Sequence, residues 1–135
     1  MIKALLVGIN KYRDPNNNLN GCINDVLSMY ELLTKNYGLD VRNILSLTNE
    51  LATKSNILRS FEKLLKALDK NDLGIFYYSG HGSQVPDLEG DEEDGLDEIL
   101  CPHDMNWNDP LTDDIISGII NEYLNLQINM HKTVF

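Results

Sequence analysis

Between Lys70 and Lys132 the chain carries no lysine or arginine. Over the same stretch Asp87, Glu89, Asp91, Glu92, Glu93, Asp94, Asp97, Glu98, Asp104, Asp109, Asp113 and Asp114 accumulate, and the whole sequence has a net charge of −10. Phosphate binding needs clustered cations, so this distribution argues against nucleic acid as a partner. Carboxylates this dense repel one another unless something neutralises them. The run therefore reads either as a solvated acidic loop or as a site for a metal ion or a basic ligand.

Cysteine is also scarce. Cys22 and Cys101 are the only two, on segments of unrelated pattern, and they lack the paired spacing of a zinc site or a disulfide framework. Both are expected to be reduced. No apolar run is long enough to cross a bilayer, so no membrane association is expected. The amino-terminal run Met1 to Gly8 is too short for a secretory segment and has no small-residue cleavage site. It reads instead as a first strand, and nothing directs the chain out of the cytoplasm. With 135 residues, 42% of them hydrophobic, the chain has room for one domain with a real core, and is short for a complete α/β enzyme.

Lys3 to Gly8 is apolar throughout and ends on glycine, as a buried parallel strand does. The polar loop Asn10 to Asn20 follows. From Ile23 the residues Val26, Leu27, Tyr30 and Leu33 recur at helical spacing, with Gly38 in a stop position. Asn43 to Leu47 suggests a second strand. Thr53 or Ser55 caps a helix with the apolar face Ile57, Phe61, Leu64, Leu65 and Leu68. A third strand, Leu73 to Tyr78, runs into Ser79-Gly80-His81-Gly82. Ile99 to Cys101 suggests a small strand, with Cys101 packed in a core, and Leu111-Thr112-Asp113-Asp114 opens a helix bearing Ile115, Ile116, Ile119, Ile120 and Tyr123. Lys132 to Phe135 begins a fourth strand. Strands alternating with helices predict an α/β fold, a mainly parallel sheet with helices on both faces.

Open α/β sheets place their chemistry at the carboxyl ends of the strands, which is where His81 falls. Flanked by glycines that free the backbone, its imidazole reads as a general base or as a loop histidine without a role. Asp25, in the first turn of the first helix, either complements the helix dipole or lines a site.

Lys3-Ala4-Leu5-Leu6-Val7-Gly8-Ile9-Asn10-Lys11-Tyr12, Leu19-Asn20-Gly21-Cys22-Ile23-Asn24-Asp25, Tyr77-Tyr78-Ser79-Gly80-His81-Gly82 and Asp94-Gly95-Leu96-Asp97-Glu98 stand in the order and approximate spacing of one family. In these motifs the chain resembles the metacaspase and caspase-like cysteine peptidases, over the amino-terminal portion of their large-subunit region. The resemblance implies a three-layer α/β/α caspase-like fold, incomplete within residues 1–135, and a Cys-His dyad in which His81 is the catalytic histidine. It assigns an oxyanion-hole donor to the N–H of Gly82, and a substrate pocket to Cys22, Asp25 and Ser79 that favours cleavage after Arg or Lys. Asp97, Asp113 and Asp114 match positions that bind calcium in many metacaspases, and the acidic loop is not an EF-hand. The family's nucleophile motif, Asp-X-Cys-His-Ser-Gly in type, follows the fourth strand. A fragment is thus expected, inactive by itself, whose partners are basic protein or peptide substrates and the remainder of the domain. Cys22 at a helix amino-terminus is the better stand-in nucleophile of the two cysteines, against its simpler reading as a small buried thiol. The alternative to a peptidase is a non-catalytic caspase-like module that binds partners or senses calcium.

Overall fold

The computed structural model describes residues 1–86, 95–126 and 132–134. Its centre is a parallel sheet with strand order β2-β1-β3-β7, where β1 is Ile2–Gly8, β2 Ile44–Thr48, β3 Leu73–Ser79 and β7 Lys132–Val134. β1 is buried on both faces because every residue of Ala4 to Val7 is apolar, the pattern of a central parallel strand. Alternation decides which side chain meets which layer. Leu5, Val7 and Phe76 face helix α2 (Lys54–Lys66) and helix α3 (Asp113–Leu126), while Ala4 and Leu6 face helix α1 (Cys22–Glu31). The result is the expected α/β/α sandwich.

Helix α2 forms where expected. Thr53 caps it, its Oγ1 accepting from the N–H of Asn56 at 3.1 Å, and Ile57, Phe61, Leu64 and Leu65 turn one face into the core, which Leu68 joins just past the helix end. Helix α1 runs on through a π-helical turn, Leu32–Asn36. It stops at Gly38, whose φ of +65° lets the N–H of Leu39 return to the carbonyl of Leu33 at 3.0 Å. At Gly8 the limit is space. A Cβ there would lie 2.5 Å from Val26 Cγ2 and 2.9 Å from the Cys22 carbonyl oxygen, so glycine is what lets α1 lie against β1.

After β3 the chain departs from expectation. Gly82–Pro86 (β4) pairs antiparallel with Leu96–Leu100 (β5), which pairs with Leu111–Thr112 (β6), giving a second, three-stranded sheet. The small strand predicted at Ile99 to Cys101 is thus the end of β5. Leu111 and Thr112 are strand and not helix; α3 begins at Asp113, and Thr112 caps it by accepting the N–H of Ile115 at 3.2 Å. Leu111 and Ile99 reach into the main core, which joins the small sheet to the sandwich. Asp87 to Asp94 and Phe135 lie outside the described residues, as does the Asp94 end of the last motif.

The loop from Asn10 to Asn20 is tied down by asparagine side chains. Asn49, itself at φ +48°, accepts the N–H groups of Asn10 and Lys11, each at 3.0 Å, through one Oδ1. Asn10 Oδ1 accepts the first N–H of α1, that of Cys22, at 2.8 Å, and Asn18 Oδ1 accepts that of Tyr12 at 2.8 Å. The Asn10 carbonyl takes the N–H of Leu19 at 2.7 Å, closing the loop on itself. Replacing Phe61, fully buried and edge-on to Phe76 at 5.2 Å, by alanine is expected to cost about 3–5 kcal/mol in urea denaturation. Asn49→Ala strips two backbone donors of their acceptor and is expected to cost about 2 kcal/mol in the same measurement, more than a surface substitution does.

Candidate functional site

His81 follows β3, at the carboxyl edge of the parallel sheet, and β1 ends beside it: Gly8 is level with Ser79, and the N–H of Ile9 donates to the Ser79 carbonyl at 3.0 Å. The tied loop after β1 therefore lies against the segment after β3. His81 Nε2 sits 2.8 Å from the carbonyl oxygen of Asn17. A carbonyl can only accept, so that nitrogen carries a proton, and in the neutral ring the lone pair is on Nδ1. The imidazole is half-buried and tilted against the Tyr12 ring, with centroids 5.1 Å apart.

The backbone of His81 is fixed as firmly as its ring. Its N–H donates to Tyr12 Oη at 2.7 Å, and its carbonyl accepts from Tyr78 Oη at 2.7 Å and from the N–H of Cys101 at 2.9 Å. Burial raises the pKa of both tyrosines, so both hydroxyls keep their protons at neutral pH. Gly80 has no left-handed φ, so the conformational freedom expected of the turn is not what glycine supplies here. A Cβ at Gly80 would lie 2.6 Å from Tyr78 Oη and 2.8 Å from Tyr12 Oη. Glycine is there for room.

His81 and Gly82 open onto a cleft of about 200 Å³ whose other walls are Tyr12, Asn17, Ser83, Cys101, Met105 and Trp107. Larger hollows lie elsewhere, one of about 330 Å³ between α2 and the amino-terminal parts of β1 and β2, away from the carboxyl edge that carries His81. The small cleft is the one that holds a candidate base. Cys101 packs in the core as expected and also borders this cleft; burial raises its pKa, which suppresses the thiolate.

Asp25 and Ser79 are brought together by the approach of α1 to the end of β3. Ser79 Oγ donates to Asp25 Oδ2 at 2.7 Å. Asp25 is exposed in the first turn of α1, and Tyr77 lies close enough that, after burial, the Asp25 charge raises its pKa. Cys22 is buried at the start of the same helix. These residues form a group on the α1 side of the sheet, and they do not line the cleft that holds His81.

The acidic triad assembles from two elements. Asp97 stands on β5 opposite Val85, and Asp113 and Asp114 open α3; one carboxylate oxygen of each lies within 4.8 Å of the others. The amino-terminal end of a helix carries partial positive charge and favours carboxylates there. Asp97 is nonetheless the buried charged side chain among the described residues, and Asp113 Oδ1 is buried with no hydrogen-bond partner. Three hard oxygen donors converging on one point suit a calcium-like cation.

Several contributors carry no pattern of their own. Asn18 and Asn49 act through loops that meet only in the fold, and Asn17 acts through its carbonyl, which no side chain advertises. Asn10 and Tyr12 are legible only as members of a motif. His103 has no sequence signal, yet its Nδ1 lies 2.7 Å from the Lys11 carbonyl, and its own N–H donates to the Ala52 carbonyl at 2.9 Å.

Comparison with known proteins gives the family of the chain. Metacaspase-1 of Kluyveromyces lactis is 42% identical over 124 residues, covering 87% of this chain and 28% of that protein. Metacaspase-1A of Aspergillus oryzae is 45% identical over the same span, 29% of its length. The chain thus spans under a third of the curated relatives it matches. A crystal structure of protein GSU0716 from Geobacter sulfurreducens shares the fold with a TM-score of 0.68 and 32% identity, covering 87% of this chain and 44% of that one. The metacaspase, peptidase C14 domain matches residues 2–134, and the chain belongs to that caspase-like family.

Proposed function

We propose that the protein is a cysteine endopeptidase of the metacaspase type that cleaves after Arg or Lys and is stimulated by calcium. The observation that carries this reading is the His81 imidazole at the carboxyl edge of the sheet, its Nε2 proton held on the Asn17 carbonyl at 2.8 Å. The carbonyl orients the ring as the third member of a catalytic triad does, and the unprotonated Nδ1 is left to act as the base. The thiol is assigned to the segment after β7, outside these 135 residues. Nδ1 takes the thiol proton, the thiolate adds to the scissile carbonyl carbon, and the C–N bond breaks as the imidazolium returns that proton to the leaving amine. Water then hydrolyses the thioester. Gly82, exposed beside His81, supplies an N–H toward the oxyanion. Buried Cys22 and Cys101 take no part as nucleophiles.

Basic specificity rests on Asp25. Its carboxylate, with Ser79 holding one oxygen, is suited to charge-assisted hydrogen bonds with a guanidinium or ammonium group, and the net charge of −10 favours such substrates at longer range. Calcium would be held by Asp97, Asp113 and Asp114 and would neutralise carboxylates that otherwise repel one another, tying β5 to the start of α3. We place the protein in the cytoplasm, where its two free thiols stay reduced. No helix among the described residues is long and apolar enough to cross a membrane.

Assayed as the full-length protein against fluorogenic peptides ending in Arg, Lys or Asp, the enzyme is expected to release fluorophore from the first two only. His81→Ala is expected to lower that rate by roughly a hundredfold or more. No cleavage of any basic reporter, with or without calcium, would instead favour a non-catalytic binding module. Calcium titration by calorimetry is expected to show one site whose affinity falls at least about tenfold in Asp113→Asn. Unchanged binding in that variant would remove the triad from the calcium reading.

A further inference from the structure

The two tyrosines beside His81 each hold a different peptide group of that residue. Tyr12 Oη accepts the N–H of His81 at 2.7 Å. Tyr78 Oη lies 2.7 Å from two carbonyl oxygens, those of His81 and Cys101, which accept only, so its one proton goes to one of them. The place where a Gly80 Cβ would sit is within 2.8 Å of both hydroxyls. The hydroxyls therefore lie on the N–H side and on the carbonyl side of the histidine, with Gly80 between them.

We propose that Tyr12 and Tyr78 are positioning residues of the His81 site, their hydroxyls clamping that residue's own peptide groups, Tyr12 on the N–H and Tyr78 on the carbonyl. Neither need touch substrate. The two contacts fix the histidine backbone on both sides of Cα, and what remains for the imidazole is rotation about its two side-chain torsions. The Asn17 carbonyl and the Tyr12 ring face then restrict that rotation. Gly80 belongs to the device because any larger residue would push the two hydroxyls apart. The effect on turnover rests on the peptidase reading; the effect on the imidazole does not.

The test therefore reads both. Ring nitrogen shifts of His81 in the ¹⁵N-labelled protein report its tautomer, and His103, whose Nδ1 is fixed on Lys11, is the internal reference. In the wild type His81 is expected as a single tautomer protonated at Nε2. In Tyr12→Phe, Tyr78→Phe and Gly80→Ala its two ring shifts are expected to draw together toward the mixed population of a free imidazole, with His103 unmoved. The exposed Tyr37→Phe should change neither. In the full-length enzyme the three variants are expected to lose about tenfold or more in kcat at nearly constant KM, as a misaimed base does. Gly80→Ala keeps every hydrogen-bonding group and Tyr78→Phe leaves the His81 carbonyl paired with Cys101, so either answers if Tyr12→Phe does not fold. Wild-type ring shifts in all the folded variants overturn the proposal. Altered shifts together with a wild type that cleaves no peptide would uphold the positioning role and overturn the peptidase reading.

Discussion

The in-phase pairing of β1 with β3 is the constraint on which the site depends. With Gly8 level with Ser79, the segments after the two strands leave the sheet side by side, and Asn17 from one meets His81 from the other. A shift of one residue would turn every β1 side chain to the opposite layer, exchanging Leu5 and Val7 with Ala4 and Leu6. Because those two pairs pack against different helices, the hydrophobic core penalises that slip heavily. Burial of aliphatic side chains thus sets the separation of polar groups some residues away. No polar contact at the edge has to choose the register for itself.

The sandwich was readable because its signals are local and periodic: an uninterrupted apolar β1, the helical stripe of α2, the alternation of strand and helix. His81 stood out for a similar reason, a histidine between glycines after a buried strand. The small antiparallel sheet was not readable, since β4 carries Gln84 and Pro86 and becomes a strand only through its partner. β6, at two residues, is beneath any periodicity and exists because Leu111 is drawn into the core. Gly80 shows the difference between seeing a residue and knowing its cause. The sequence suggests freedom of φ, whereas the fold requires the absence of a Cβ beside two hydroxyls. The Asp97, Asp113 and Asp114 grouping came from family likeness. Spacing alone could not join residues from a strand and a helix sixteen positions apart.

The same loop serves both histidines that flank it, and in opposite senses. His81 gives its Nε2 proton to Asn17, whereas His103 gives its Nδ1 proton to Lys11. Each bond uses a backbone carbonyl, so the identity of the loop side chains at those two positions matters less than where their peptide planes lie. Those planes are set by Asn10, Asn18 and Asn49, which accept backbone N–H groups and tolerate the turn conformations involved. His103 also takes the N–H of Arg13 on its carbonyl at 3.1 Å, a second tie from the loop to the segment that follows β5. The loop is therefore held from both sides of the cleft by neutral hydrogen bonds. Neutral donors and acceptors are well suited to this task because salt does not screen them and their geometry is directional. An ion pair at Asn17 would tie the His81 proton to the charge state of a second group. A carbonyl has no charge state to change, so it can orient the ring whether the imidazole is neutral or charged.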